Sequence, residues 1–168
     1  MGIKLATVSL VAATIAHSPG AAAAQDRAAA IIPGRPLVVI ARRNLTFGTV
    51  FPGIPTSVPS NHPRLSGEFE IQGAAGLPVR VELLLPTALT AASGATLPVA
   101  FGGTDGSLDF PHGIAHRSLF DPHGPVTAAL GPNGKLHIWL GGTVSPVPGQ
   151  TSGTYIATIS VTVFNLGT

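Results

Sequence analysis

The chain has 168 residues, of which only 10% are charged, with 21 Gly, 16 Pro and no Cys. Charged residues make up roughly a quarter of an ordinary soluble domain, so this composition argues against a charged disordered tail and favours short strands joined by turns over helices. With no cysteine there are no disulfides, and stability has to come from packing and strand ladders.

The first 24 residues read as a cleaved secretory signal. Lys4 supplies the positive start, Leu5 to Ala16 the apolar stretch, Pro19-Gly20 a break, and Ala22-Ala23-Ala24 a small-residue cleavage site before Gln25. The apolar run is too short for a helix that spans a bilayer, and no second long apolar segment follows, so no membrane span is expected in the mature chain. Removing Lys4 leaves 8 basic and 7 acidic residues, a balance that excludes nucleic acid as a partner. The expected location is outside the cytoplasm, in the periplasm or at the cell surface.

Residues 25–36 form an N-terminal arm that contains Ala28-Ala29-Ala30-Ile31-Ile32 and is closed by Pro33-Gly34 and Pro36. It is too short for an isolated helix. The arm is either a mobile leader or an extended strand whose alternating set is Ala28, Ala30 and Ile32. The domain proper is expected over 37–168. Leu37 to Ile40 and Asn44 to Gly48 read as two short strands around a bend at Arg42-Arg43, and Val50 to Pro63, with four prolines, reads as a loop.

Leu65, Gly67, Phe69 and Ile71 alternate with Ser66, Glu68, Glu70 and Gln72, which predicts a strand with one wet face. Val79, Val81, Leu83 and Leu85 give a second strand after the turn Gly73 to Gly76. The short turn predicts a hairpin, with Glu68 or Glu70 paired to Arg80 across it. Thr96 to Phe101 is a further short strand, its proline placing it at an edge or at a strand start. A structureless stretch from Gly102 to Asn133 is too long for a compact domain, so one or two short strands are expected inside it. Leu136, Ile138 and Leu140 alternate with Lys135, His137 and Trp139.

The longest alternation comes last. Tyr155, Ala157, Ile159, Val161 and Val163 share one parity and Thr158, Ser160 and Thr162 the other, a half-buried strand. Nothing after it offers a partner for its free edge, and an uncovered apolar edge invites strand addition. Seven or more short strands with no helical stripe predict an all-β fold, an antiparallel sandwich.

Three pieces carry a resemblance: Asn44-Leu45-Thr46-Phe47-Gly48-Thr49-Val50, Gly67 to Gly73 with Pro78-Val79, and Leu140-Gly141-Gly142-Thr143 with Gly153-Thr154-Tyr155 and Val161-Thr162-Val163. Together they resemble a family of bacterial secreted β-domains described only as a domain of unknown function. That family is similar in turn to spore coat protein U and to archaic chaperone–usher pilin domains. The resemblance implies an immunoglobulin-like sandwich lacking its last strand, completed by an extended segment of another subunit. The partners it implies are other copies of the chain or related subunits, with a periplasmic chaperone as a further candidate. The arm departs from a good donor in its small side chains, and 102–133 is longer than the family's link there.

Other chemistry is sparse. His112, His116 and His123 cluster in the long loop and make a monomeric periplasmic metal-binding protein a rival class, with solvated loop histidines as the plain alternative. No cofactor-binding motif or enzyme signature is present. Glu68, Glu70 and Glu82 fall on a face predicted to be solvated. Trp139, on the same kind of face, either covers a neighbouring strand or offers an aromatic platform to a sugar, as in a carbohydrate-binding adhesin module. The reading these observations favour is a non-enzymatic, pilin-like structural protein that associates by β-strand addition.

Overall fold

The computed structural model describes residues 3–16, 35–109 and 117–167, the first of these segments by its backbone alone. Fourteen strands and no helix occur among the described residues. In chain order they are β1 (Ile3–Ala16), β2 (Val38–Arg43), β3 (Thr46–Val50), β4 (Thr56–Val58), β5 (Gly67–Gln72), β6 (Pro78–Leu84) and β7 (Ala88–Ala91). There follow β8 (Thr96–Ala100), β9 (Gly106–Asp109), β10 (Ser118–Phe120), β11 (Val126–Ala129), β12 (Lys135–Leu140), β13 (Gly142–Val144) and β14 (Tyr155–Asn165).

They form two packed sheets, a β-sandwich. The smaller is antiparallel throughout, in the order β10-β9-β12-β5-β2. The larger runs β11-β6-β14-β7-β8-β13-β4, with β1 on β14 and β3 on β1. Its longest strand, β14, uses both edges. On one, Ser160 to Asn165 pair antiparallel with Leu84 to Val79, and Tyr155 and Ile156 pair with Ala91 and Thr90. The strands β6 and β7 therefore follow each other along one edge, interrupted around Pro86. The other edge carries β1.

The period-two pattern explains which face is buried. Leu136, Ile138 and Leu140 of β12 are fully buried, as are Ile71 of β5 and Val79 and Val81 of β6. Tyr155, Ile159, Val161 and Val163 of β14 join the same core, while Ala157 packs against its margin. Tyr155 also brings a polar group inside. Its hydroxyl donates to the Thr151 carbonyl at 2.6 Å and accepts from Gln150 Nε2 at 2.7 Å. Gln150 donates in turn to the Thr96 carbonyl at 2.9 Å, so the last strand begins at a corner tied to β8. A tyrosine that bonds back to backbone a few residues upstream is a recurrent corner device of immunoglobulin-like sandwiches.

The expected hairpin between β5 and β6 does not form. β5 lies between β2 and β12 in one sheet, while β6 lies between β11 and β14 in the other. Residues 73–77 therefore cross between the sheets, and the two apolar faces meet across the core instead of lying side by side. The crossing is anchored by bonds from Gly73 N–H to the Gly134 carbonyl and from Gly76 N–H to the Leu130 carbonyl. The expected pairing of Glu68 or Glu70 with Arg80 is absent for the same reason: Arg80 pairs with Glu82 at 2.9 Å on its own strand. Between Gly102 and Asn133 there are three described strands, β9, β10 and β11, where one or two were expected.

Candidate functional site

The edge of β14 foreseen as open is occupied. β1 runs parallel to it, from Ala6 opposite Tyr155 to Ala16 opposite Phe164, with an irregularity between Leu10 and Ala13. The far edge of β1 meets β3 antiparallel, with Ile3 opposite Val50, Ala6 opposite Gly48 and Thr7 opposite Thr46. β3 and β14 thus stand one strand apart, and the strand between them is the apolar run that the sequence reading assigns to a leader. The donor arm, Ala28, Ala30 and Ile32, lies outside the described residues. Of the strand-addition set, Tyr155, Ile159, Val161 and Val163 are core residues and Ala157 is partly buried, so β14 meets β1 through its main-chain edge while these side chains turn toward the core.

Two of the three metal candidates, His112 and His116, also lie outside the described residues. His123 is exposed, and its Nδ1 sits 2.9 Å from Asp121 Oδ1. Among the described residues no group of three His, Asp or Glu side chains converges as a metal site would require. The His123 backbone N–H, followed by its ring, holds the Asp121 carboxyl below its ordinary range.

The outer face of the smaller sheet holds a second arrangement, only partly visible in sequence. Cross-strand register places Trp139 beside Glu68 and Ser107, and His137 beside Glu70 and Asp109. Glu70 is not solvated, as its parity suggested, but 3% exposed. It accepts from Arg42 Nε at 2.7 Å and Gln72 Nε2 at 2.6 Å, and lies 2.8 Å from Lys135 Nζ. Burial alone would raise its carboxyl. The bonds from Lys135, Gln72 and Arg42, with the Arg42 charge, outweigh that and hold it at about 2.

Beside this network, His137 Nδ1 lies 3.1 Å from Glu68 Oε1. The guanidinium carbons of Arg117 and Arg43 lie 4.0 and 5.0 Å from the Trp139 ring centre. Trp139 is therefore stacked under cations and not an open platform. Arg117 also donates to the Ser60 carbonyl at 3.1 Å. Burial pushes its guanidinium below the ordinary value, an effect that Asp109 and Glu68 counter and Arg43 reinforces. The only sequence signal for this cluster was the shared outward parity of Lys135, His137 and Trp139 against Glu68 and Glu70.

Neither a scan of protein-family models nor a comparison with curated proteins finds a match to this chain.

Proposed function

We propose that the chain is a secreted, non-enzymatic surface-assembly subunit, pilin-like in that it associates with other copies or related subunits by β-strand addition. One observation carries this reading. The edge of β14 and the edge of β3 are separated by a slot one strand wide, filled by a segment, residues 3–16, remote from the strands that enclose it. If that segment leaves with a processed leader, the slot exposes two rows of main-chain donors and acceptors. Such an edge takes up an extended segment of a neighbour, with ladder bonds supplying affinity and alternate side chains supplying specificity.

The test compares residues 25–168 with 37–168 by light scattering and native mass spectrometry. The longer chain is expected to form oligomers and the shorter to lose them. Equal mass and equal melting temperature for the two would overturn strand addition by the arm.

A further inference from the structure

We propose that the end of the sandwich carrying Phe51, Ile54 and Val147 is a docking surface for a second copy of the chain, which it meets at that copy's opposite end, around Val38 and Leu166. This rests on the strand-addition reading, which joins two copies through an arm and a slot but does not say which surfaces of their bodies touch.

The loop Phe51 to Pro55 follows β3, and the loop Ser145 to Gly149 follows β13. They lie together: the Gly53 N–H donates to the Pro146 carbonyl at 3.0 Å, and Pro148 sits beside Gly53. Neither loop holds a charged residue, while Phe51, Ile54 and Val147 are each more than half exposed. Large apolar side chains gathered in water mark contact surfaces, whose centres are poor in charge. Register places the patch at one mouth of the slot, because Ile3 of β1 lies opposite Val50, and Ala6 opposite Tyr155, where β14 begins.

The far mouth lies where β14 ends, about 35 Å along a strand of eleven residues. Here Asn165 pairs with Val79, and Leu77 sits beside both Gly167 and Gly73, with Leu37 also next to Gly73. The arm joins the body at this end: Arg35 donates to Gln72 Oε1 at 3.3 Å, and Val38 lies opposite Gln72. Val38 and Leu166 are the exposed large apolar side chains of this end.

Chain length then limits how two bodies can sit. Residues 33–36 separate Ile32 of the arm from Leu37, a reach of at most about 18 Å. A body whose arm fills a neighbour's slot is therefore held against the mouth through which the arm enters. Entry at the Asn165 mouth brings two identical ends together as a reciprocal pair and leaves Phe51, Ile54 and Val147 in water. Entry at the Tyr155 mouth sets the end with Val38 and Leu166 onto those three side chains, so both exposed sets are covered. The two surfaces differ, so each added copy leaves one of each free and the contact repeats without closing.

The chain has no cysteine, so thiols can be placed one at a time. The full-length chain is expressed with export, and the exported product is treated with a short bis-maleimide and sized by native mass spectrometry. The double variant Val38→Cys/Ile54→Cys should cross-link into a ladder of dimers, trimers and longer species, while neither single variant cross-links. Without thiols, Phe51→Ser combined with Ile54→Ser should weaken association about tenfold or more. The melting temperature of the dissociated subunit should not fall, because both side chains are already largely in water. Cross-linked dimers from either single variant would mean that like ends meet, and would overturn the proposal. Oligomers that persist without a ladder would overturn this contact and leave strand addition standing; monomers alone would overturn both. Oligomers unchanged by the serine pair, with loss of binding to neutral phosphatidylcholine vesicles, would assign the patch to a lipid surface and overturn the proposal as well.

Discussion

Glu70 shows how far a single side chain departs from what its strand position suggests. On a sheet face a carboxylate ordinarily points into water, but three donors enclose this one, and the folded chain keeps it ionised down to about pH 2. The unfolded chain binds its proton near 4.5. Between those values the unfolded state holds the extra proton, so stability is complete above about pH 5.5 and is lost as pH falls through 4.5 toward 2. Arg42 and Lys135 are partly exposed, and solvent screening reduces what the pairs are worth, to about 1–3 kcal/mol. Glu70→Gln should therefore lower stability at pH 7 by that amount and flatten the acid limb of a denaturant-monitored pH profile. A mutant that keeps the parent's slope between pH 5 and 3 would place the titration elsewhere.

At the scale of elements, alternation identified the strands and their buried faces but not their partners. Leu136, Ile138 and Leu140 against Lys135, His137 and Trp139 are legible because a strand with one face on a core must alternate. β5 and β6 carry the same alternation with a short turn between them, which is also what a hairpin looks like. What separates them is a contact remote in sequence, the approach of residues 73–74 to Gly134. Gly134 has φ of +72°, and a Cβ there would lie 2.2 Å from the Gly73 carbonyl oxygen. Gly134→Ala meets both an unfavourable backbone region and a backbone clash, and should cost about 2 kcal/mol or more in chemical denaturation. By contrast Gly76→Ala has the strained φ but open space, and should cost about 1 kcal/mol. Equal losses would mean that the crossing does not depend on this approach. The polar cluster was illegible for a related reason: Arg42 in the irregularity of β2, Arg117 just before β10 and Lys135 on β12 lie far apart in the chain, and only the tertiary fold brings them near Glu70 and Trp139.

For the molecule as a whole, the question is what completes the larger sheet. The same apolar, β-branched composition serves a leader and a strand, so Leu5 to Ala16 could be read only as the former from sequence, while its backbone lies in the slot as β1. A chain retaining this segment has both edges of β14 paired, and a chain beginning at residue 25 has lost the strand on one edge. The remaining arm can restore the ladder in its own molecule or in a neighbour, and an extended chain spans at most about 3.3–3.6 Å per residue, which limits the first option. Hydrogen exchange along β14 distinguishes these states, because an edge amide without a partner exchanges far faster than one in a ladder. In the full chain, amides of Tyr155 to Phe164 that face β1 should be protected. In residues 37–168 they should exchange rapidly, while those facing β6 and β7 stay slow. In residues 25–168 protection should return with rising protein concentration if neighbours supply the strand, and at every concentration if the arm folds back. Protection in 37–168 equal to that in the full chain would mean that the sandwich closes its own edge, and strand addition would then lose its physical basis.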